Sequence, residues 1–385
     1  MFSQAHSITG VNADKIRPIS AVMEESQKRH IERIKGDFGL ESASDLKLEW
    51  DALAKQYRGS LCGEEVYLTK NAYASACTII GSNPSYFKGF ADQDEFPRQF
   101  AKVLDNGSFA KKSLKAVVRT SVNSFGHRQI DAILPAGYQV LDDAQILGPV
   151  AEAIEHRGHQ IHGVVVEGND RDRNIRLLFD EPLANPKVVG LDESDVIVST
   201  FHIHNQELGT EAGVCLGNWR SHCSNTALAS LRQKSLMPGK VGFEGLWNHR
   251  SRPERFFRRI KEIADQADRY PVLVGGRFTT AMSTVMNADP LVLTGWFCRR
   301  HFLPPQVKMP LERQLASEAV KTEWDYINVM TYVAQRMESR NRRRTEAAAH
   351  LILLNGIERI VSFMEASTEN APFGVSVEAD SVDVN

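Results

Sequence analysis

Val196-Ile197-Val198-Ser199-Thr200-Phe201-His202-Ile203-His204, followed by Asn205-Gln206-Glu207-Leu208-Gly209 and then Ala212 to Trp219, is the stretch whose reading decides the fold. β-Branched and aromatic residues crowd both flanks, and a polar turn ending in glycine separates them, which reads as two strands joined in a hairpin. Because strand side chains alternate, Val196, Val198, Thr200, His202 and His204 share one face, while Ile197, Ser199, Phe201 and Ile203 share the other.

Working outward, Ala116–Thr120, His162–Val166 and Asn174–Phe179 read as further strands, so residues 111–245 form a β-rich core. Upstream, residues 20–58 read as helices, the clearest starting at Ser44 and placing Leu46, Trp50, Leu53, Ala54 and Tyr57 on one stripe. Between Gly59 and Gly107, Pro84 and Pro97 break the pattern into loops and short elements. Downstream of Gly245 the helical period returns, with Phe256, Ile260, Ile263, Ala264 and Ala267 as an apolar stripe, then Trp324, Ile327, Thr331 and Ala334, then a helix from Glu346 to Phe363. The expected fold is α+β, with a central, mostly antiparallel β-rich core flanked by N-terminal and C-terminal helices. Its parts are a helical region 1–110, the core 111–245, a helical layer 246–366 and an acidic tail 367–385 that reads as disordered.

A chain of 385 residues with 42% apolar and 24% charged residues has the composition of a globular protein with more than one core. The five cysteines are odd in number and form no CxxC pair, so a disulfide framework and a zinc ribbon are both disfavoured. The first residues lack a charged segment followed by an apolar run, and no apolar stretch approaches the roughly 18 residues of a membrane span. The expected setting is the cytoplasm of a bacterial host, with no membrane partner.

Several short motifs recur in a known pattern. Arg220-Ser221-His222-Cys223-Ser224-Asn225 fits Arg-x-x-Cys-x-Asn, and Asn205, Glu207 and Gly209 precede it in the turn. Asn248-His249 comes before the Arg-rich helix, and Trp324, Asn328 and Thr331 stand at a helical Trp followed by Asn-x-x-Thr. On these residues the chain resembles the phage- and plasmid-like family known as domain of unknown function 932, over roughly residues 111–360. Gln206, Asn248 and Tyr332 depart from its usual residues. The resemblance implies a mobile-element origin and no particular reaction.

The chemistry-bearing candidates are few. His202 and His204 share a strand face at a spacing that metal sites use, but no third ligand stands at a recognisable spacing, so a polar or rim strand face is the preferred reading. Cys223 next to His222 would point away from it on a strand and reads as structural, and Asn225 reads as a turn residue bonded to backbone. Asn328 and Thr331 on the face of Trp324 read as a hydrogen-bond network tying helix to sheet. Val274-Gly275-Gly276-Arg277 reads as a turn, and no nucleotide-binding or hydrolase motif occurs.

The basic segments are the strongest lead: Arg250, Arg252, Arg255, Arg258, Arg259 and Lys261 with Phe256 and Phe257 interleaved, Arg340, Arg342, Arg343 and Arg344, and Arg299-Arg300-His301. Guanidinium groups bind phosphate bidentately and aromatic rings stack on unpaired bases. The expectation is a non-enzymatic nucleic-acid-binding protein, single-stranded DNA favoured, acting in annealing, replication or recombination. It needs no cofactor, and self-association and a host-protein partner are further expectations. The alternatives are a metal-dependent hydrolase or nuclease built on His202 and His204, and a protein-binding module.

Overall fold

The computed structural model describes residues 15–88, 93–106, 116–135, 137–169, 172–182, 197–209, 211–220, 226–228, 244–249 and 252–369. The N-terminal part runs β1 (Ile16–Arg17), α1 (Ile19–Ile34), β2 (Phe38–Leu40), β3 (Leu46–Asp51), β4 (Gln56–Leu61), β5 (Glu64–Leu68), α2 (Lys70–Ile79), α3 (Pro84–Lys88) and α4 (Glu95–Asn106). The middle holds β6 (Ala116–Val122), β7 (Arg128–Pro135), α5 (Asp143–Glu155), β8 (Ile161–Asn169), β9 (Asp172–Pro182), β10 (Ile197–Asn205), β11 (Glu211–Arg220), β12 (Thr226–Leu228) and β13 (Glu244–Asn248). Helices follow: α6 (Pro253–Ala264), α7 (Arg269–Ser283), α8 (Pro290–Arg299), α9 (Lys308–Ser317), α10 (Glu323–Ala334), α11 (Ser339–Asn355) and α12 (Ile357–Glu369). The fold is α+β.

The hairpin that decides the fold is β10 and β11, in register from Ile197 opposite Arg220 to Asn205 opposite Ala212. It sits inside an antiparallel sheet ordered β1-β8-β9-β10-β11-β12, with β13 also pairing β11. A second sheet is ordered β2-β6-β7-β5-β4-β3, with β5 and β7 its one parallel pair among the described strands. Each sheet has its own core. Phe201, Ile203, Val214 and Leu216 of the first pack with Ile146 and Val150 of α5 and with the C-terminal helices. Val66, Val118 and Ile133 of the second pack with Ala76 of α2 and with Phe96 and Phe100 of α4.

Four expectations about elements are corrected. The helix expected from Ser44 is the β3–β4 hairpin, so the region before residue 110 is not simply helical and lends most of its strands to the second sheet. Leu46-Lys47-Leu48-Glu49-Trp50-Asp51 alternates with period two, and the Asp51 carboxylate accepts from the backbone N–H groups of Leu53 and Ala54, closing a turn that ends at Lys55 with φ 52°. Pro84 and Pro97 fall in the first turns of α3 and α4, where proline's missing N–H has no helical partner to lose, so this stretch is largely helical. The helix expected from Glu346 to Phe363 is broken at Gly356, whose φ of 78° lies in the left-handed region, and the two pieces meet at 103°. Gly275 and Gly276 lie inside α7 and make no turn. No single helix among the described residues is long and apolar enough to cross a membrane.

The β3–β4 correction separates two leucines that a helical stripe would bury together: Leu46 is 2% exposed and Leu53 is 97% exposed. Leu46→Ala is expected to lower unfolding free energy by about 2–5 kcal/mol, and Leu53→Ala to change it by less than about 0.5 kcal/mol, in urea titrations of the full chain. Equal losses at the two positions would restore the helical reading.

Candidate nucleic-acid interface and the buried polar sheet face

Pro253 opens α6 at a position where its fixed φ suits a helix start, and Phe256, Ile260, Ile263 and Ala264 turn fully inward. Ala267 of the expected stripe is buried too, just past the helix end. Helical periodicity then forces the intervening cations outward. Arg252, Arg255, Arg258 and Lys261 are exposed, while Arg259 is half-buried and bonds Glu262 at 2.8 Å. Phe257 is half-buried and packs against the core, so it is not a free stacking platform. Arg250 lies outside the described residues. At the end of α8, Arg299 is exposed and Arg300 sits 5.5 Å over the Trp296 ring.

The second basic cluster behaves differently. Arg342 bonds Glu346 and Glu167, each at 2.9 Å, and Arg343 reaches Nδ1 of His204 at 3.1 Å. Arg344 is exposed, and Arg340 lies in the first turn of α11. Arg342 and Arg343 are therefore engaged inside the fold, unlike the exposed Arg255, Arg258 and Lys261 of α6.

What Arg342 and Arg343 face is the polar side of β10. His202 and His204 are 1% and 3% exposed, so they stand on a buried face and not on a rim. His202 pairs across the hairpin with Cys215 and across β9 with Arg176, and its Nδ1 lies 3.8 Å from the Cys215 sulfur. Arg176 bonds Glu167 and stands 3.7 Å from Glu346. Burial, then the charge of Arg176, holds His202 well below the ordinary histidine range. Glu167 is held at about 2, the Arg176 and Arg342 charges overcoming the burial that would raise it. No group of three or more His, Cys, Asp or Glu among the described residues is arranged to hold a metal.

The turn residues meet at a second place. Asn205 donates to the Leu141 carbonyl at 3.0 Å and to the Asp143 carboxylate at 2.9 Å. One Glu207 carboxylate oxygen accepts from the Asp143 backbone N–H at 2.9 Å, and the other pairs with Arg33. The Glu207 carbonyl accepts from Arg119 at 2.8 Å and from the Tyr138 hydroxyl at 3.0 Å. His249 stacks on Tyr138 with ring centroids 4.7 Å apart, and its Nδ1 donates to the Gln139 carbonyl at 3.0 Å. Arg119 makes a two-pronged pair with Asp142 at 2.7 and 3.0 Å, and Arg29 bonds Asp143 at 2.8 Å. Burial, reinforced by the charge of Glu207, pushes the Asp143 carboxyl well above its ordinary range.

Gly209 closes the turn where a Cβ would lie 2.5 Å from the Gln206 side chain, and its N–H donates to the Gln206 carbonyl at 2.8 Å. Arg220 donates to the Asn328 side chain at 3.2 Å, so the expected tie between α10 and the sheet is present, whereas Thr331 bonds back to the Ile327 and Asn328 carbonyls of its own helix. Trp324 sets its ring edge against Phe278. Cys223 and Asn225 lie outside the described residues. Sequence reading missed Arg29, Arg33, Arg119, Asp142 and Asp143. The legible signal was Asp142-Asp143-Ala144-Gln145, a helix-start pattern in which Gln145 reaches back to the Asp142 backbone N–H at 2.9 Å.

Buried histidines set a pH dependence. Burial holds His249 at about 4 and His350 at about 3, below the unfolded value near 6.5. A depressed folded pKa means the unfolded chain takes up the proton first, so these histidines contribute stability that is full above pH 6.5 and lost as pH falls toward 4 and then 3. They are worth on the order of 3 kcal/mol for His249 and 5 kcal/mol for His350 when fully lost. The raised Asp143 carboxyl works in the opposite sense, favouring the fold as pH falls. The net expectation is a melting temperature that declines from pH 7 to pH 5, and a shallower decline in His350→Phe, which keeps the stack on Tyr270. An unchanged slope in that variant would remove His350 from the account.

Comparison with family models, with curated proteins and with solved structures finds no match for this chain, so its functional reading rests on its own residues.

Proposed function

We propose that the chain is a nucleic-acid-binding protein of a mobile element, with single-stranded DNA as the favoured ligand and annealing during replication or recombination as its setting. The observation that supports this reading is the outer face of α6, where Arg252, Arg255, Arg258 and Lys261 are exposed opposite a fully buried apolar stripe. Glu254 and Glu262 are the only acidic residues of that helix, so the face carries a clear positive excess. Such a face attracts phosphates whatever the base sequence, since counterion release drives binding without base contacts. The mobile-element part of the proposal rests on the resemblance carried by Asn205, Glu207, Gly209, Arg220, Trp324 and Asn328. Assembly into oligomers and a host-protein partner belong to the same proposal.

The test is a salt series with single- and double-stranded DNA of unrelated sequences. Affinity is expected to fall linearly with log salt, and each lost contact to reduce the single-strand slope by roughly 0.7. Replacing Arg255, Arg258 and Lys261 together by Ala should flatten the slope by about 2 and weaken all sequences alike, with the melting temperature unchanged because these side chains are exposed. Phe257→Ala should cost stability and leave DNA affinity unchanged, because that ring packs against the core. Absence of binding to any nucleic acid at low salt would overturn the proposal.

A further inference from the structure

We propose that the cleft formed by the α7–α8 connection, α8, the start of α10 and α12 is a binding site for a small organic cation, an amine or ammonium group on an apolar body. It shares no residue with the basic face of α6 and does not depend on the nucleic-acid reading.

The first support is the cleft and the way it is held. Its volume is about 280 Å³, and its walls include Val285, Val292, Trp296 and Val361. Val285 and Val292 are 65% and 66% exposed, so apolar surface is left open here. The bend at Gly356 sets α12 at 103° to α11, and Ile357, Glu358, Val361 and Glu365 of α12 line the cleft at the spacing of one helix face. The connection 284–288 is pinned. The Met286 N–H donates to the Lys321 carbonyl at 2.9 Å, the Glu323 N–H to the Thr284 carbonyl at 3.0 Å, and the Asn287 side chain to Glu358 at 3.0 Å. The cleft is therefore preformed. An apolar cavity of roughly 150 Å³ accepts benzene, so this one has room for a ring and a short chain. It is too small for a docked helix roughly 10 Å across.

The second support is charge. Glu323, Glu358 and Glu365 line the cleft, and no Lys, Arg or His does. None of the three makes an ion pair among the described residues. Glu323 is 5% exposed. One of its carboxylate oxygens accepts from the Ile357 N–H at 2.7 Å, which caps α12, and the other has no hydrogen-bond partner among the described residues. Burial raises the Glu323 carboxyl above its ordinary range, the Ile357 N–H opposes this, and the charge of Glu358 adds to it. A carboxylate this dry is costly without a counter-ion. Trp296 supplies an aromatic ring, which attracts cations, and Arg300 sits 5.5 Å from its centroid without lining the cleft. Residues 370–385 carry Glu378, Asp380 and Asp383 and no Lys or Arg, so the chain's own tail has the wrong sign to fill the site. An apolar cleft lined by three carboxylates and no cation is complementary to an apolar cation and repels an anion.

The probe is 2-phenylethylamine, a cation near neutral pH, set against 2-phenylethanol and 3-phenylpropionate, which carry the same ring with no charge and with a negative one. Calorimetric titrations and melting temperatures of the full chain are recorded at millimolar probe and constant ionic strength. The amine is expected to bind about tenfold or more tightly than the alcohol, a difference of about 1.4 kcal/mol or more, and the acid not at all. Glu323→Gln keeps an oxygen for the Ile357 N–H and removes the charge, so it should weaken the amine about tenfold and leave the alcohol unchanged. Should that variant unfold, Glu358→Gln combined with Glu365→Gln, both at exposed positions, should weaken the amine several-fold with the fold intact. Val292→Trp, also at an exposed position, should fill the cleft and weaken amine and alcohol together. The triple α6 variant should bind the amine as the wild type does. No binding of the amine, equal binding of amine and alcohol or of amine and acid, or undiminished amine binding in both charge variants would overturn the proposal. A short peptide with adjacent Phe and Lys binding more tightly than the amine would assign the cleft to a partner protein and overturn the small-molecule reading.

Discussion

The guanidinium of Arg119 is wholly buried where β6 of the second sheet meets the hairpin turn of the first, and its neutralisation by Asp142 is the constraint on which the join depends. Burial disfavours its charge, yet the hydrogen bonds and charge of Asp142, with the charge of Asp37 behind them, keep Arg119 ionised. Removing one partner of such a pair costs about 3–5 kcal/mol, because the survivor is left charged and dry. The geometry does more than balance charge. Arg119 also donates to the Glu207 carbonyl, so one side chain of the second sheet fixes the turn of the first. Asp142 and Asp143 begin α5, and they face different cations, Arg119 and Arg29. The turn, the start of α5, α1 and the second sheet are thereby set by one network.

The same economy governs the polar face of β10. Its apolar side, with Phe201 and Ile203, joins the main core, and a strand of this alternation would ordinarily leave the other side wet. Here the second side is buried as well, with ion pairs from α11 reaching across to Glu167 and Arg176. Alternation therefore reported polarity and not exposure. A buried polar face is costly unless its groups find partners, and the ion pairs of Arg176 and Arg342 with Glu167 and Glu346 meet much of that demand here.

Legibility followed the strength of local patterns. The strands at 116–120, 162–166 and 174–179, the β10–β11 hairpin and the α6 stripe were readable, because apolar period and turn chemistry agreed there, whereas β7, β12, β13 and the helix α5 within the expected β-rich core were not read. The β3–β4 hairpin was misread because Leu46, Trp50, Leu53, Ala54 and Tyr57 fit a helical stripe as well as they fit alternation, and Asp51 decides between them only through a turn made with its own neighbours. The charged network was not readable for a different reason. Arg29, Arg119, Asp142 and Glu207 are far apart in sequence, and nothing local distinguishes a buried arginine from a solvated one.

The two Arg-rich helices make that last point in a form that bears on function. In α6 the apolar residues occupy one stripe, and the basic residues have nowhere to go but outward. In α11 the run Arg342-Arg343-Arg344 precedes Thr345 and Glu346 and then Ala347-Ala348-Ala349, and residues 345–350 are all buried, so the helix is enclosed on more than one side. Two of its arginines are accordingly drawn inward, where Glu167, Glu346 and His204 meet them. Equal arginine density thus gives a solvent-facing basic surface in one helix and an internal ion-pair lattice in the other. The difference is carried by the width of the apolar arc around each helix, not by the charges themselves.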